Sequence, residues 1–443
     1  MMYKVGMISL GCPKNQVDAE RMLALLDKNE YEITDCYDGA DAVIINTCGF
    51  IDAAKQEAIE NILEMAELKS EGTVKKIIVT GCLAERHKEE IFAELPEVDA
   101  VVGIGAEGRI DEIVKKVIEG EKIYDMPDNE ELPLTGERLL TTPEYWSYLK
   151  IADGCSNRCT YCAIPSIRGN YRSVEFETLI DEAKALAASG TKELILIAQD
   201  TTNYGFDLYG KLRLPELLDA LCEIEGIEWI RMLYCYPDKI TDELLETMAR
   251  QPKVLHYIDL PLQHSDDKIL KAMNRRGDGN FLRETIAKIR KTLPDAVIRT
   301  TFIVGFPGEG EKEFENLEVF VNEIEFDRLG CFAFSPQEGT PAFDMDDQVD
   351  EDVKVRRGEI IMQDQLEIVT LKNQNKIGKK FRVIVEEYDG YSDSYKGRTY
   401  MDAPEIDGFI SFTTSSNYEI GDFADVIVIG VNDYDLIAKD ING

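Results

Sequence analysis

Histidine and positive charge are both scarce in this chain. Three histidines stand among 443 residues, and His87, His256 and His264 show no paired spacing. A metal site built from paired histidines is therefore excluded. His264 follows a strand pattern and either lines a site or is a hydrogen-bonded structural histidine. Lys and Arg total 49 against 85 Asp and Glu, a net charge of −36, the wrong sign for a protein that grips nucleic acid through phosphates. The excess acid is either a solvated surface or the counterpart of a basic partner. No run approaches the ~18 apolar residues of a membrane helix, so no membrane association is expected. The N-terminal MMYKVGMISLGCPKN has no small-residue cleavage site; no signal peptide and a cytoplasmic location are expected. Ten cysteines are too few for a disulfide scaffold in 443 residues, and a reducing compartment leaves them as thiols or metal ligands.

What is present is a long alternation of strand and helix patterns. Over residues 1–120, YKVGMISLG, DAVIINT, KKIIVTG and VDAVVGIG each precede a helical segment, which predicts a doubly wound α/β domain with a parallel sheet. Residues 121–144 carry three prolines and no sustained period, and are expected to be a linker. Over 145–375, the strands YWSYLKIAD, ELILIAQD, EWIRMLYCYP, LHYIDLPLQ, AVIRTTFIVGFP and DRLGCFAFSP fit a partial (β/α)6 barrel better than an eight-strand one. A long polar helix is expected over 349–375. Over 376–443, KKFRVIVEEYDG, DGFISFTTS and ADVIVIGV are strands with turns between them, predicting a small antiparallel β-barrel of the OB type.

Two sets of cysteines stand out. Cys155, Cys159 and Cys162 are spaced C-x-x-x-C-x-x-C at the end of the first barrel strand, the mouth where barrel enzymes keep their chemistry. No fourth ligand is near in sequence. Zinc asks for four, whereas a four-iron cluster held by three thiolates keeps one iron open. A zinc knuckle borrowing a distant ligand is the alternative. Cys12, Cys48 and Cys82 each lie just past a parallel strand and just before a helix. Ligands in doubly wound sheets bind at those strand ends, so the three can converge on a second centre; the alternative is three buried structural cysteines. Cys36, Cys222, Cys235 and Cys331 share no such pattern and read as structural.

ADGCSNRCTYCAIPSIRG, with Tyr161 before the third cysteine, resembles the radical S-adenosylmethionine (SAM) superfamily. Together with SLGCPKN and FSPQEGTPAF, the chain resembles the radical SAM methylthiotransferases over nearly its whole length. Within them it is similar to the RimO branch, which methylthiolates the β-carbon of an aspartate in small-subunit ribosomal protein twelve. The tRNA-modifying branch typically has Gln-Met where this chain has Pro13 and Lys14. The resemblance implies two 4Fe-4S clusters and SAM as cofactors. Cys155, Cys159 and Cys162 would hold the radical-generating cluster; Cys12, Cys48 and Cys82 would hold an auxiliary cluster that carries sulfur. It further implies SAM contacts from Tyr161, Gln199, Gly305 and Glu309, each of which is equally a mouth-lining structural residue, and no catalytic side chain beyond the cluster ligands. The final barrel would be a TRAM domain. The implied partners are a basic ribosomal protein as substrate, a reductase as electron donor and a sulfur donor; tRNA fits less well.

Two further motifs fail on inspection. GIGAEG at Gly103–Gly108 fits G-x-G-x-x-G but follows the fourth strand of its domain, not the first. GFPGEGEK at Gly305–Lys312 carries Glu311 where a phosphate loop has lysine. Residues 376–443 hold 7 Lys plus Arg and 13 Asp plus Glu, a net of −6. Acids in EEYDG, DAPEIDG and NDYDLIAKD are therefore expected to face a basic protein partner, unless they are merely solvated loops. Three functions compete: a radical enzyme acting on a protein, the same class acting on tRNA, and a non-catalytic iron–sulfur or zinc protein.

Overall fold

Alternate residues along the strands of the first domain go to opposite faces, and both faces are apolar. Val43, Ile45, Ile77, Val79 and Val101 pack with Ala58, Ile62 and Met65; Ala42, Ile44, Ile78, Ala100 and Val102 pack with Met22, Leu26, Ile113 and Val117. Burial on both faces belongs to a parallel sheet between two helix layers. The structure, a computed structural model, describes residues 2–29 and 31–441. It builds β1 (Lys4–Ser9), β2 (Glu32–Thr34), β3 (Ala42–Thr47), β4 (Ile77–Gly81), β5 (Ala100–Val102) and β6 (Ile123–Asp125) into one parallel sheet of order β2-β1-β3-β4-β5-β6. Helix α1 (Pro13–Lys28) follows β1, α2 (Asp52–Ser70) follows β3, α3 (Cys82–Arg86) and α4 (Lys88–Glu94) follow β4, and α5 (Ile110–Ile118) follows β5. The pattern in the sequence reveals four of these strands. β2 and β6 are three-residue edge strands, too short for a period of two to register. β6 falls inside the stretch 121–144, which thus begins as a sheet edge before it becomes a connection. The single helix expected after Cys82 is two, broken at His87.

The six strands expected in the core are all present: β7 (Trp146–Lys150), then, after the short antiparallel pair β8 (Ala152–Asp153) and β9 (Arg172–Ser173), β10 (Glu193–Ile197), β11 (Trp229–Met232), β12 (Val254–Asp259), β13 (Val297–Val304) and β14 (Arg328–Ala333). They form one parallel sheet of order β14-β13-β12-β11-β10-β7 that does not close. Leu149, Leu194, Leu196, Ile230, Met232 and Ile258 face the surrounding helices, while Trp146, Tyr148, Ile195, Ile197, Trp229 and Tyr257 face inward. The helix Glu351–Gln374 lies along β14. It reads as polar because part of its buried stripe is polar: Gln365 donates to the Phe326 carbonyl at 3.1 Å and Asn373 to that of Asp433 at 3.0 Å.

The C-terminal barrel has five strands, β15 (Lys380–Asp389), β16 (Ser394–Arg398), β17 (Ile410–Thr413), β18 (Phe423–Asn432) and β19 (Asp435–Asp440), closed in the order β15-β16-β17-β19-β18. The expectation of an antiparallel barrel needs one correction: β17 pairs with β19 in parallel. Directions can alternate around a closed ring only when the strand number is even, so a five-strand barrel must contain a parallel pair.

This barrel packs against the first residues of the core strands. Glu193 accepts from Arg231 at 2.8 Å and from Arg398 at 2.7 Å, Arg328 pairs with Asp402, and the Tyr257 hydroxyl donates to Asp407 at 2.6 Å. Several acids expected to face a partner are therefore internal. Asp402 and Asp407 are buried against core arginines, and Glu386 is held by Arg398 at 2.8 Å. Glu387, Glu405 and Asp433 of the same segments are exposed, as is Asp425 on β18. An acid in a loop and an acid at a domain joint look alike in sequence.

Candidate active site

The first trio assembles where the strand order reverses. β1 lies between β2 and β3, so the crevice between β1 and β3 is a switch point, the usual ligand site of such sheets. Cys12 follows β1, Cys48 follows β3, and Cys82 opens α3 after β4. Gly11, at φ +93°, brings its backbone so close to Cys48 that an added Cβ would stand 2.8 Å from the Cys48 Sγ. Gly49 packs in the same way on Leu83, with 2.7 Å from a would-be Cβ to the Leu83 Cα. The second trio sits on the loop between β8 and the short helix α6 (Ile164–Arg168). The two loops meet: Cys82 packs on Ala163 and Ile167, just past Cys162.

Buried charge ties them further. Arg168 donates to Asp18 at 2.8 Å, to Asp153 at 2.7 Å and to Asn15 at 3.2 Å. Lys150 pairs with Asp18 and, at 2.8 Å, with Asp153. Asn15 and Asp18 lie on α1 just beyond Cys12, Asp153 lies just before Cys155, and Arg168 lies just beyond Cys162. All of these side chains are buried. None was singled out from the sequence, since a mixed set of Lys, Arg and Asp at spacings of up to 150 residues carries no local pattern. Burial opposes the charge on Asp153, yet Arg168 and Lys150 outweigh it and hold the carboxyl well below its ordinary range.

Within the first trio one thiol stands apart. Burial pushes Cys12 up, but Lys14 and Arg168, with the amides of Asn15 and Lys14, more than offset this and leave it below the ordinary thiol value. Burial raises Cys48, and it pushes Cys82 up to about 12 against the opposing charge of Arg168. In the second trio burial raises Cys155 and pushes Cys162 up to about 12. Cys159 contacts the Tyr236 hydroxyl at 3.3 Å and Arg275 at 3.9 Å, and Arg275 stacks on the Tyr236 ring at 3.9 Å. Among the described residues no three His, Cys, Asp or Glu side chains are placed to share one metal ion. Three soft thiols at each loop are the donor set that suits a multinuclear iron–sulfur cluster, in which each iron takes its own thiolate.

The residues expected at SAM divide into two pairs. Tyr161 is half-buried against Ile269, Met273, Phe306, Phe334 and Ala342. Gln199 donates to Asp153 at 3.0 Å and leaves its carbonyl oxygen without a partner. Gly305 and Glu309 are engaged elsewhere. The helix Glu351–Gln374 lays Lys354 across Gly305, with 2.2 Å between the Lys354 Cγ and a would-be Cβ. Glu309 is buried, accepts from Arg357 at 2.9 Å and stands 3.3 Å from His264. His264 is thus buried beside Glu309. The Gly103–Gly108 segment is a tight 3-10 turn under the connection to the core: the Asp128 carbonyl would lie 2.2 Å from a Cβ at Gly105 and Pro133 2.7 Å from one at Gly108. Its glycines make room for protein, not for phosphate.

Residues 4–103 match the uncharacterized protein family UPF0004, residues 149–321 the radical SAM superfamily, and residues 377–441 the TRAM domain. The chain is 49% identical to the ribosomal protein uS12 methylthiotransferase RimO of Acetivibrio thermocellus, over 100% of this chain and 99% of the relative. It is 48% identical to the protein of the same name from Clostridioides difficile, over 98% of both. Among solved structures, the radical SAM methyltransferase TsrM of Kitasatospora setae matches with a TM-score of 0.56 at 13% identity over 77% of each chain. The cobalamin-dependent SAM radical enzyme OxsB matches with a TM-score of 0.51 at 13% identity over 82% of this chain and 56% of its own. At such identity these two show the fold alone.

Proposed function

The chain belongs to the ribosomal protein uS12 methylthiotransferase RimO family, and from that membership we propose that it attaches a methylthio group to the β-carbon of an aspartate in ribosomal protein uS12. It is a radical SAM enzyme of the methylthiotransferase class. The observation that carries the fuller reading is the meeting of the two cysteine loops across a domain joint, pinned by Arg168, Asp18 and Asp153. Cys155, Cys159 and Cys162 would hold one 4Fe-4S cluster, and Cys12, Cys48 and Cys82 a second. When bound, the clusters and SAM supply the radical and the sulfur. The protein's own residues hold and enclose them. Tyr236 and Arg275 surround Cys159. Tyr161 walls one side of the SAM seat, and Gln199 offers its free carbonyl oxygen there, while Gly305 and Glu309 support the seat through the helix behind it.

The cellular partners follow from the same reading: a reductase that supplies electrons, a sulfur donor, and the cytoplasm as the setting. Among the described residues no helix is long and apolar enough to cross a membrane. The acidic barrel packs at the starts of the core strands, a strand length of roughly 17 Å from the cysteine loops. Its exposed acids therefore attract a basic partner through their field and do not hold the target residue. Changing Glu387, Glu419 and Asp425, all exposed on the barrel, to lysine is expected to slow uS12 association and to reduce its salt dependence, with the rate at saturating substrate unchanged.

Anaerobic incubation with SAM, reductant and sulfide, offering uS12 and tRNA in parallel, tests the function. A mass gain of one methylthio group on an aspartate of uS12 is expected. Modification of tRNA alone would assign the enzyme to the other substrate.

A further inference from the structure

The segment FSPQEGTPAF, Phe334–Phe343, runs from the end of β14 back to the joint between the first two domains. Its buried residues are Phe334, Gln337, Thr340 and Ala342. Phe334 and Ala342 are apolar anchors that pack with Phe306 beside Tyr161. Gln337 and Thr340 are polar, and buried polar groups need partners. The Thr340 amide and hydroxyl donate to the Gln337 carbonyl at 3.1 and 2.6 Å, closing a turn over Gly339, which sits at φ +76°. The Gln337 side-chain amide donates to the Ser335 hydroxyl at 2.7 Å. Its side-chain oxygen accepts from Arg86 at 2.8 Å.

Arg86 belongs to the other domain. It ends α3, the helix that Cys82 opens. Its guanidinium also donates to the Glu338 carbonyl at 2.7 Å and to the Gly49 carbonyl, next to Cys48, at 3.0 Å. The carboxylates that act on it are Glu338 and Asp52, one on each side of the joint. Asp52 in turn accepts from the Ser335 hydroxyl at 2.6 Å. At its far end the segment reaches the second trio: the Ala342 amide donates at 2.9 Å to the carbonyl of Thr160, which lies between Cys159 and Cys162. One segment thus bonds to the neighbours of Cys48 and Cys82 and to the loop of Cys159 and Cys162.

We propose that Phe334–Phe343 is a strap that sets the two cysteine trios in register, with Arg86 and Gln337 as its positioning residues. The inference rests on the methylthiotransferase reading, in which sulfur held at one trio must meet a radical generated at the other. Arg168 pins α1, beside Cys12. The strap pins the loops of the other two cysteines of that trio. The packing of Cys82 on Ala163 and Ile167 is non-directional, whereas hydrogen bonds from a guanidinium fix direction as well as contact.

Reconstituted enzyme, handled without oxygen, tests this with two readouts: electron paramagnetic resonance of the reduced clusters, and the ratio of 5′-deoxyadenosine released to methylthio product. Wild type is expected to show spin coupling between the clusters. Arg86→Met is expected to keep its iron and its SAM cleavage, to lose most of the coupling, and to raise the ratio about tenfold or more, since a misplacement of about 1 Å costs on the order of 100-fold in rate. Gln337→Ala is expected to act in the same way, and Gln337→Glu, which restores an acceptor for Arg86, to recover most of the coupling. Ser335→Ala removes the bond to Asp52 and is expected to shift both readouts in the same direction by less; if Arg86→Met does not fold, an unchanged Ser335→Ala overturns the proposal. Absence of coupling in wild type, or coupling and ratio unchanged in Arg86→Met, also overturns it. So does an equal loss of SAM cleavage and product, since Arg86 would then merely support the fold. Wild type that cleaves SAM and modifies neither uS12 nor tRNA rejects the methylthiotransferase reading, and the coupling then judges the strap by itself.

Discussion

The two cysteine trios of this protein are built in opposite ways. Cys155, Cys159 and Cys162 share one loop, and their proximity is a property of eight consecutive residues. Cys12, Cys48 and Cys82 come from three strand ends and meet only because the order β2-β1-β3-β4 sets those ends side by side. Burial raises two thiols in each trio, Cys48 and Cys82 in the first and Cys155 and Cys162 in the second; within the first trio only Cys12, where Lys14 and Arg168 outweigh burial, stands below the ordinary value. A site made by a loop depends on its own turn geometry. A site made by a fold depends on every contact that keeps the strands and the joint in register.

The largest expected effect separates the trios outright. Reconstituted wild type is expected to hold about eight irons, two four-iron clusters. Replacing Cys155, Cys159 and Cys162 by alanine leaves about half and abolishes SAM cleavage. Replacing Cys12, Cys48 and Cys82 leaves the other half, with SAM cleavage kept and sulfur transfer lost. Iron analysis and 5′-deoxyadenosine release check this; stoichiometric zinc in protein purified without oxygen would falsify it.

Next comes the joint. Arg168→Met removes a cation that faces both Asp18 and Asp153, leaving buried carboxylate short of partners, which costs about 3–5 kcal/mol. Thermal unfolding is expected to show the loss. Because Arg168 also opposes the raised value of Cys82, iron loss is expected to fall mainly on the first trio. Equal loss from both trios would show that the joint supports the two loops alike.

Gly11→Ala is a narrower probe of the fold-built site. At φ +93°, with Cys48 Sγ 2.8 Å from the new Cβ, it combines backbone strain with a clash, together about 1–3 kcal/mol. Iron at the first trio is expected to fall while SAM cleavage persists. An unchanged iron content would mean that the Cys12 and Cys48 loops separate freely.

The smallest effect concerns pH. Glu107 is buried beside Thr80, and burial, aided by the charge of Asp18, pushes its carboxyl up to about 8 against Arg168 and Lys150. A raised carboxyl binds its proton more tightly folded than unfolded. Its contribution to stability is therefore full below an unfolded value of about 4.3 and is lost as pH rises toward 8. Glu107→Gln is expected to flatten this part of the stability–pH curve. A wild-type curve of the same slope as the variant's would place the titration elsewhere.

Much of this architecture was legible in the residues. The six core strands and the cysteine loop follow from local patterns, because a strand of five or more residues shows its period and three cysteines within eight positions need no fold to bring them together. The edge strands β2 and β6 escaped because three residues show no period. Asp402 and Asp407 read as surface acids because their partners Arg328 and Tyr257 are 74 and 150 residues away, and Glu386 because its partner Arg398 meets it only across a strand pair.

The sequence by itself determined the order of the domains, the identity of six cysteines and the family they point to, since local spacing and strand–helix alternation are written in neighbouring residues. The tertiary structure alone shows that the two cysteine loops touch, that Arg168, Asp18 and Asp153 bind them, that the acidic barrel sits at the starts of the core strands, and that Lys14 lies buried over the Tyr234 ring. Those facts depend on pairings across more than 200 residues, and a buried charge declares its partner only when the chain has closed around it.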